Sequence, residues 1–215
     1  MLRMQVAAVL AIALGWYAAP SLAAPSAWTL QLTWSPEFCE ANLSSKEPQC
    51  TEERYFVVSG LQPLFDLDPP SCEDDDALQK DEAERWLAVV PNRAQVKKIW
   101  KRQGACSGLD TAGYFTQLER ASRRVVIPEA FTAVTEKAQH RSRAEVKSAF
   151  IQSNPGLTAE AISMSCHGRW VETIEFCLDA AFEFRSCSQP ERCRSEDLRF
   201  RELRDSRLGR EPIYR

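Results

Sequence analysis

The chain has 215 residues, with 27 basic and 30 acidic side chains and a formal charge of −3. Mild acidity gives no overall attraction to nucleic acid or to anionic membranes, so either partner would need a local basic site. Eight cysteines, only two histidines and no Cys-x-x-Cys pair speak for disulfides and against a zinc site.

Residues 1–23 read as a secretory signal: Arg3, an apolar run over 6–14, then the small-x-small site Ser21-Leu22-Ala23. The apolar run is shorter than the ~20 residues that a spanning helix needs. Loss of this segment removes Arg3, leaving 26 basic and 30 acidic residues and a charge of −4. The remainder, 24–205, suits one domain, and 206–215 reads as a flexible tail. The expectation is a secreted or periplasmic monomer with no membrane attachment after signal cleavage.

The alternation of Trp28, Leu30, Leu32 and Trp34 with polar residues predicts a half-buried strand over 28–34. Residues 40–53, flanked by Cys39 and Cys50, read as a loop. The β-prone run 55–58 predicts a strand central in a sheet. Pro63, Pro69, Pro70 and the acidic run 73–76 mark an irregular segment. Helical spacing predicts helices over 81–90, 94–103, 111–123 and 143–152. Pro91, Gly104 and Asn154-Pro155-Gly156 supply stops for the first, second and fourth. Residues 161–166, 171–178 and 198–203 read as strands. The order implies an α+β domain with a central antiparallel sheet flanked by helices. An even cysteine count behind a signal implies a disulfide framework, whose pairing spacing alone leaves open.

Leu30-Gln31-Leu32-Thr33-Trp34-Ser35-Pro36, followed by Cys39, resembles the opening strand of the ribonuclease T2 family. Phe56-Val57-Val58-Ser59-Gly60-Leu61-Gln62-Pro63 is similar to the family's first active-site segment, which usually ends His-Gly-Leu-Trp-Pro. Ile99-Trp100-Lys101-Arg102-Gln103-Gly104-Ala105-Cys106 is similar to the second, usually Glu-Trp-x-Lys-His-Gly-Thr-Cys. Asn154-Pro155-Gly156-Leu157, Ile162-Ser163-Met164-Ser165-Cys166 and Glu172-Thr173-Ile174-Glu175-Phe176-Cys177-Leu178-Asp179 resemble later segments, in the expected order. The resemblance covers 28–203. It implies a ribonuclease T2-like fold, a Cys72–Cys106 bridge between the two active-site segments, and nested Cys166–Cys193 and Cys177–Cys187 bridges. Cys39–Cys50 is then left as a local bridge.

Members of that family cleave RNA without a metal or cofactor. One histidine takes the ribose 2′-hydroxyl proton and a second protonates the leaving oxygen, while a glutamate and a lysine stabilise the charged transition state. Imidazole suits these transfers because its pKa lies near working pH. The resemblance puts Ser59 and Gln103 at the histidine positions, Ile99 at the glutamate and Arg102 at the lysine. Gln62 stands where the family usually has a base-stacking tryptophan. An amide does not titrate, and a serine hydroxyl needs an activating base. No intact catalytic set remains. His140, in a polar connection, and His167, at a strand end, match neither catalytic position.

A binding set is still readable. Lys98, Lys101 and Arg102 share one side of the predicted helix, beside Trp100 and Gln62, and could hold RNA or a nucleotide phosphate. The plainer alternative is a solvated basic face. Arg120, Arg123 and Arg124 form a second small group that reads as solvated, and 192–215 reads as a last strand plus a loose end. A buried Ile99 beside Trp100 would fit an active site relaxing toward packing. Three functions follow: a non-catalytic RNA or nucleotide binder, a weakly active endoribonuclease with a rearranged site, and an interaction or inhibitor module for an extracytoplasmic protein.

Overall fold

The structure is a computed structural model and describes residues 24–42, 45–52, 54–66, 69, 78–133 and 135–202. The segment 1–23, Pro70, Cys72, the acidic run 73–76 and the tail 206–215 lie outside the described residues. In chain order the elements are β1 (Ala27–Trp34), α1 (Ser35–Ala41), α2 (Pro48–Thr51), β2 (Phe56–Leu64), α3 (Lys80–Arg85) and α4 (Arg93–Ile99). A π-helical turn (Trp100–Gly104) follows, then α5 (Thr111–Arg123), β3 (Gln139–Ser142), α6 (Arg143–Ser153), β4 (Ile162–His167), β5 (Trp170–Asp179) and β6 (Asp197–Phe200).

The sheet runs β2-β1-β5-β6-β3, with β4 paired to β5 as a branch. Its pairs are antiparallel except β5 with β6, which run parallel where Trp170 meets Arg199. The sheet is therefore mixed, not antiparallel throughout as the sequence implied. A parallel return needs a connection of a dozen or more residues, and the stretch 180–196 supplies it. The strand foreseen over 55–58 is longer and pairs only with β1 among the described residues, so it is an edge strand rather than a central one. Pro63, which has no N–H for a ladder, is tolerated there for that reason.

The alternation of β1 works as foreseen. Trp28, Leu30, Leu32 and Trp34 are buried, while Thr29, Gln31 and Thr33 face the other way. β5 repeats the pattern, with Ile174, Phe176 and Leu178 buried opposite Leu32, Leu30 and Trp28. Tyr114, Phe115, Leu118 and Ala121 of α5 and Val146 and Phe150 of α6 join this core. Trp34 meets Phe56 and Phe200 edge-on at 4.9 and 5.5 Å, and Phe131 stacks on Phe150 at 5.5 Å. Each such ring contributes roughly 1.5–3 kcal/mol by leaving water.

Local chemistry sets the helix ends. Asn92 caps α4 by accepting from Gln95 N at 3.1 Å, and Asp110 caps α5 by accepting from Gly113 N at 2.7 Å. Ser142 and Glu145 form a reciprocal capping box on α6. The helix foreseen over 81–90 stops at Arg85, and the following turn lays Trp86 on Phe115 at 5.3 Å. The loop foreseen over 40–53 contains the end of α1 and all of α2. The polar connection around His140 is strand β3, which borrows its pairing from β6.

Disulfides join Cys39 to Cys50, Cys166 to Cys193 and Cys177 to Cys187. Cys106 is also disulfide-bonded, while Cys72, the partner that the resemblance implies, is not among the described residues. Each bridge stabilises by about 2–4 kcal/mol, chiefly through the unfolded chain.

Candidate functional site

The polar face of the sheet forms the floor of an open cleft of about 220 Å³, and α4 with the π turn forms one wall. Cross-strand register assembles the floor: Gln31 lies opposite Glu175, and Thr33 opposite Thr173. On the other side of β1, Gln31 pairs with Gly60 and Leu32 with Val58, which leaves Ser59 as the extra residue of a β-bulge. A bulge re-aims a side chain at a sheet edge. Ser59 accordingly lines the cleft, and its hydroxyl donates to the Gln31 carbonyl at 3.2 Å.

Gln103 enters from the π turn. Gly104 makes the turn possible, because a Cβ there would sit 2.3 Å from the Trp100 ring. The Gln103 carboxamide lies across Gly60, donates from Nε2 to Gln31 Oε1 at 2.9 Å and accepts from the Tyr114 hydroxyl at 3.3 Å. Gln31 donates in turn to Glu175 Oε1 at 3.3 Å, and Arg192 donates to the same oxygen at 2.7 Å. An ionised carboxylate only accepts, so Glu175 fixes which end of Gln31 faces it, and Gln31 then fixes Gln103. The chain of amides has one direction, from the Tyr114 hydroxyl to the carboxylate. The single Tyr114 proton is shared between Gln103 Oε1 and the Leu61 carbonyl, the latter nearer at 2.9 Å, and burial pushes the hydroxyl far above the ordinary tyrosine pKa. It acts as a donor and not as a base.

The cationic wall is Lys98 and Arg102, both exposed. Neither side chain has a hydrogen bond or ion pair among the described residues, whereas Arg192 is neutralised by Glu175. Among the described residues, the cleft thus carries two positive charges with no acidic partner. Ile99 also lines it and is 2% exposed.

Several residues singled out from the sequence lie apart from this cleft. Lys101 is exposed but does not line it, because the π turn winds more loosely than an α-helix and carries Lys101 around from Lys98. Trp100 is a core residue, edge-on to Tyr114 at 6.0 Å, rather than a binding face. Gln62 pairs with Thr29, outside the cleft lining, and donates to the Pro63 carbonyl. His140 lies on β3, at the far end of the sheet from β2, and His167 lies at the β4–β5 hairpin; neither lines the cleft. Arg120 and Arg124 sit over the rings of Phe182 and Phe184 at 4.7 and 4.3 Å.

Sequence reasoning missed Gln31, Thr33, Gln95, Thr173, Glu175 and Arg192 as cleft residues. The period-2 pattern already put Gln31 and Thr33 on the polar side of one strand and Thr173 and Glu175 on that of another. Only the pairing register makes them neighbours. Arg192 carries no signal at all: it belongs to a loop that the Cys166–Cys193 bridge and a Cys193 N–Met164 O hydrogen bond of 3.1 Å hold against β4.

Known proteins share this architecture. The chain is 29% identical over 82 residues to a ribonuclease of Aeromonas hydrophila, a match covering 38% of each protein. It is 26% identical over 177 residues to a probable ribonuclease of Haemophilus influenzae, covering 74% of this chain and 60% of the other. The chain therefore spans less than two thirds of the length of these curated relatives. Among solved structures, trichomaglin, described as an S-like ribonuclease, superposes with a TM-score of 0.63 at 15% identity, covering 83% of this chain and 98% of trichomaglin. RNase NT, solved in complex with 5′-AMP, superposes with a TM-score of 0.60 at 14% identity, covering 82% of this chain and 98% of that one. No family model matches the chain.

Proposed function

We propose that this chain, which has the fold of the T2-type ribonucleases, binds RNA or nucleotide phosphate in the cleft and does not cleave RNA by two-histidine chemistry. One observation carries the reading. The cleft presents Lys98 and Arg102, two cations without an acidic partner among the described residues, beside Ser59 and Gln103, and both histidines of the chain lie elsewhere.

Transesterification of RNA needs a base for the 2′-hydroxyl and an acid for the leaving oxygen. Gln103 cannot exchange a proton near neutral pH. Ser59 already directs its proton at the Gln31 carbonyl, and the cleft offers it no imidazole. Each missing acid–base group is typically worth 10²–10⁴, so loss of the pair costs roughly 10⁴–10⁸. Binding survives this loss, because Arg102 keeps a permanent charge and a planar fork suited to phosphate. RNase NT was solved with 5′-AMP, which supports a nucleotide as ligand here. The disulfides support action in an oxidising compartment, as a secreted or periplasmic protein.

The test is RNA cleavage between pH 4 and 8, beside 5′-AMP titration by calorimetry at low and high salt. The expected result is no cleavage above background, and AMP binding that weakens with salt and disappears in Lys98→Ala/Arg102→Ala. Cleavage abolished by Arg102→Ala would establish a weak ribonuclease instead. Absence of both cleavage and AMP binding would overturn the reading in favour of a protein-interaction role.

A further inference from the structure

We infer that the cleft reads the ribose and phosphate of its ligand and not the base. This rests on the phosphate-binding reading above and names what lies beside the phosphate.

The described lining residues include no aromatic side chain, and Ile99 is the sole wholly apolar one. Nucleobases are held chiefly by stacking on rings or guanidinium planes in sites built to read them. Here Trp100 is packed in the core, and Gln62 turns its amide to its own neighbour's carbonyl. The cleft therefore lacks a ring on which a base could lie, and of its two guanidinium planes Arg192 is engaged by Glu175 and Arg102 is assigned to the phosphate.

What the floor offers is suited to hydroxyl groups. Thr33 and Thr173 are cross-strand partners on β1 and β5, both line the cleft, and neither hydroxyl makes a hydrogen bond among the described residues. Glu175 spends one oxygen, Oε1, on both Gln31 and Arg192. Its other oxygen has no partner among the described residues and is not sealed from solvent. A single accepting oxygen, with two hydroxyls two positions along the same face of the sheet, suits the adjacent hydroxyls of a sugar, which both donate and accept. It suits a guanine edge less well, since two parallel N–H donors call for both carboxylate oxygens. Floor and wall then divide the ligand between them. Lys98 and Arg102 take the phosphate, while Thr33, Thr173 and Glu175 take the 2′- and 3′-hydroxyls of the sugar. The 2′-hydroxyl is the group that separates RNA from DNA, so the floor confers preference for ribose without reading sequence.

The experiment compares binding of inorganic phosphate, ribose 5-phosphate, 2-deoxyribose 5-phosphate and the four 5′-ribonucleotides to the full chain. Ribose 5-phosphate and the four nucleotides should agree to within about threefold, and the deoxy sugar should bind about tenfold more weakly, the loss of one charge-assisted hydrogen bond. Glu175→Ala should bring the ribose-to-deoxyribose ratio close to one. Its effect on overall charge changes both affinities together and cancels in that ratio. Thr173→Val, a nearly isosteric change, should lower the ratio in part. If inorganic phosphate and both sugars bind alike, phosphate binding stands and ribose reading is overturned. If one nucleotide, or all four, exceed ribose 5-phosphate by tenfold, the base is read and the inference fails. If no phosphate compound binds, the proposed function itself fails.

Discussion

Gln103 lies so close over Gly60 that a Cβ at residue 60 would come within 2.3 Å of its Oε1. The only side chain that fits beneath the amide is a hydrogen atom. Gly60→Ala should push the Gln103 amide off Gln31 and Tyr114, which hold it at 2.9 and 3.3 Å. The displaced atoms are the far end of a flexible side chain, so the cost should be modest, about 1–2 kcal/mol from the lost hydrogen bonds. Urea denaturation gives the stability change, and the Gln103 side-chain amide resonances report the displacement. Unmoved resonances would count against the packing relationship.

Tyr114 ties β2 to α5, bonding Leu61 through both its carbonyl and its N–H, at 2.9 and 3.3 Å. Tyr114→Phe keeps the ring and removes the hydroxyl. Buried groups left without partners cost about 1–3 kcal/mol, and that loss should appear in thermal or urea unfolding. A neutral outcome would mean that Leu61 is satisfied without Tyr114.

Ile99, which the resemblance puts at the family's glutamate position, is almost fully buried in the core cluster that includes Trp100. Ile99→Glu should destabilise by roughly 2–4 kcal/mol, through lost apolar burial and desolvation of the acid. The triple variant Ser59→His, Gln103→His, Ile99→Glu should be less stable than the double histidine variant. Equal or greater stability in the triple variant would show that the site still accommodates the acid.

Burial raises the Glu37 pKa above the usual carboxylate value; its hydrogen bond and charge pairing with Arg201 pull the other way, Glu172 adds to the rise and His167 opposes it. The folded state therefore holds this proton more tightly than the unfolded chain does. Its contribution to stability is complete below the ordinary value near 4.5 and is lost as pH rises through the raised one. The stability of wild type relative to Glu37→Gln should consequently fall between pH 4 and pH 7. A relative stability that rises over this range in urea titrations would reverse the sign and refute the assignment.

Much of the architecture was legible in order along the chain. Thr111–Arg123 is a helix because its apolar residues recur at helical spacing behind a capping Asp110, both local facts. β1 was equally plain, since Trp28, Leu30, Leu32 and Trp34 alternate with polar residues. Ser142-Arg143-Ala144-Glu145 also carried a readable signal, a capping box that marks the start of α6. β3 was not legible, because four polar residues become a strand only when β6 lies beside them. The extent of β2 was obscured by Gly60 and Pro63, which local propensity counts against a strand.

For the site, the sequence by itself supplied a resemblance, which puts Ser59 and Gln103 at the two histidine positions of the ribonuclease T2 family, Ile99 at the acid position and Arg102 at the lysine. It also determined that Gln31 and Thr33, like Thr173 and Glu175, fall on the polar side of their strands. Tertiary structure decided what those residues do. The bulge that turns Ser59 into the cleft, the loosened helical turn that separates Lys101 from Lys98 and Arg102, and the chain of hydrogen bonds from Tyr114 to Glu175 all arise from pairing distant segments. Gln103 bonds a residue 72 positions away, and Gln31 bonds one 144 positions away. Local periodicity fixes which face a side chain occupies. It carries no information on register between strands, and register is what brings an amide, a carboxylate and two hydroxyls to the floor of one cleft.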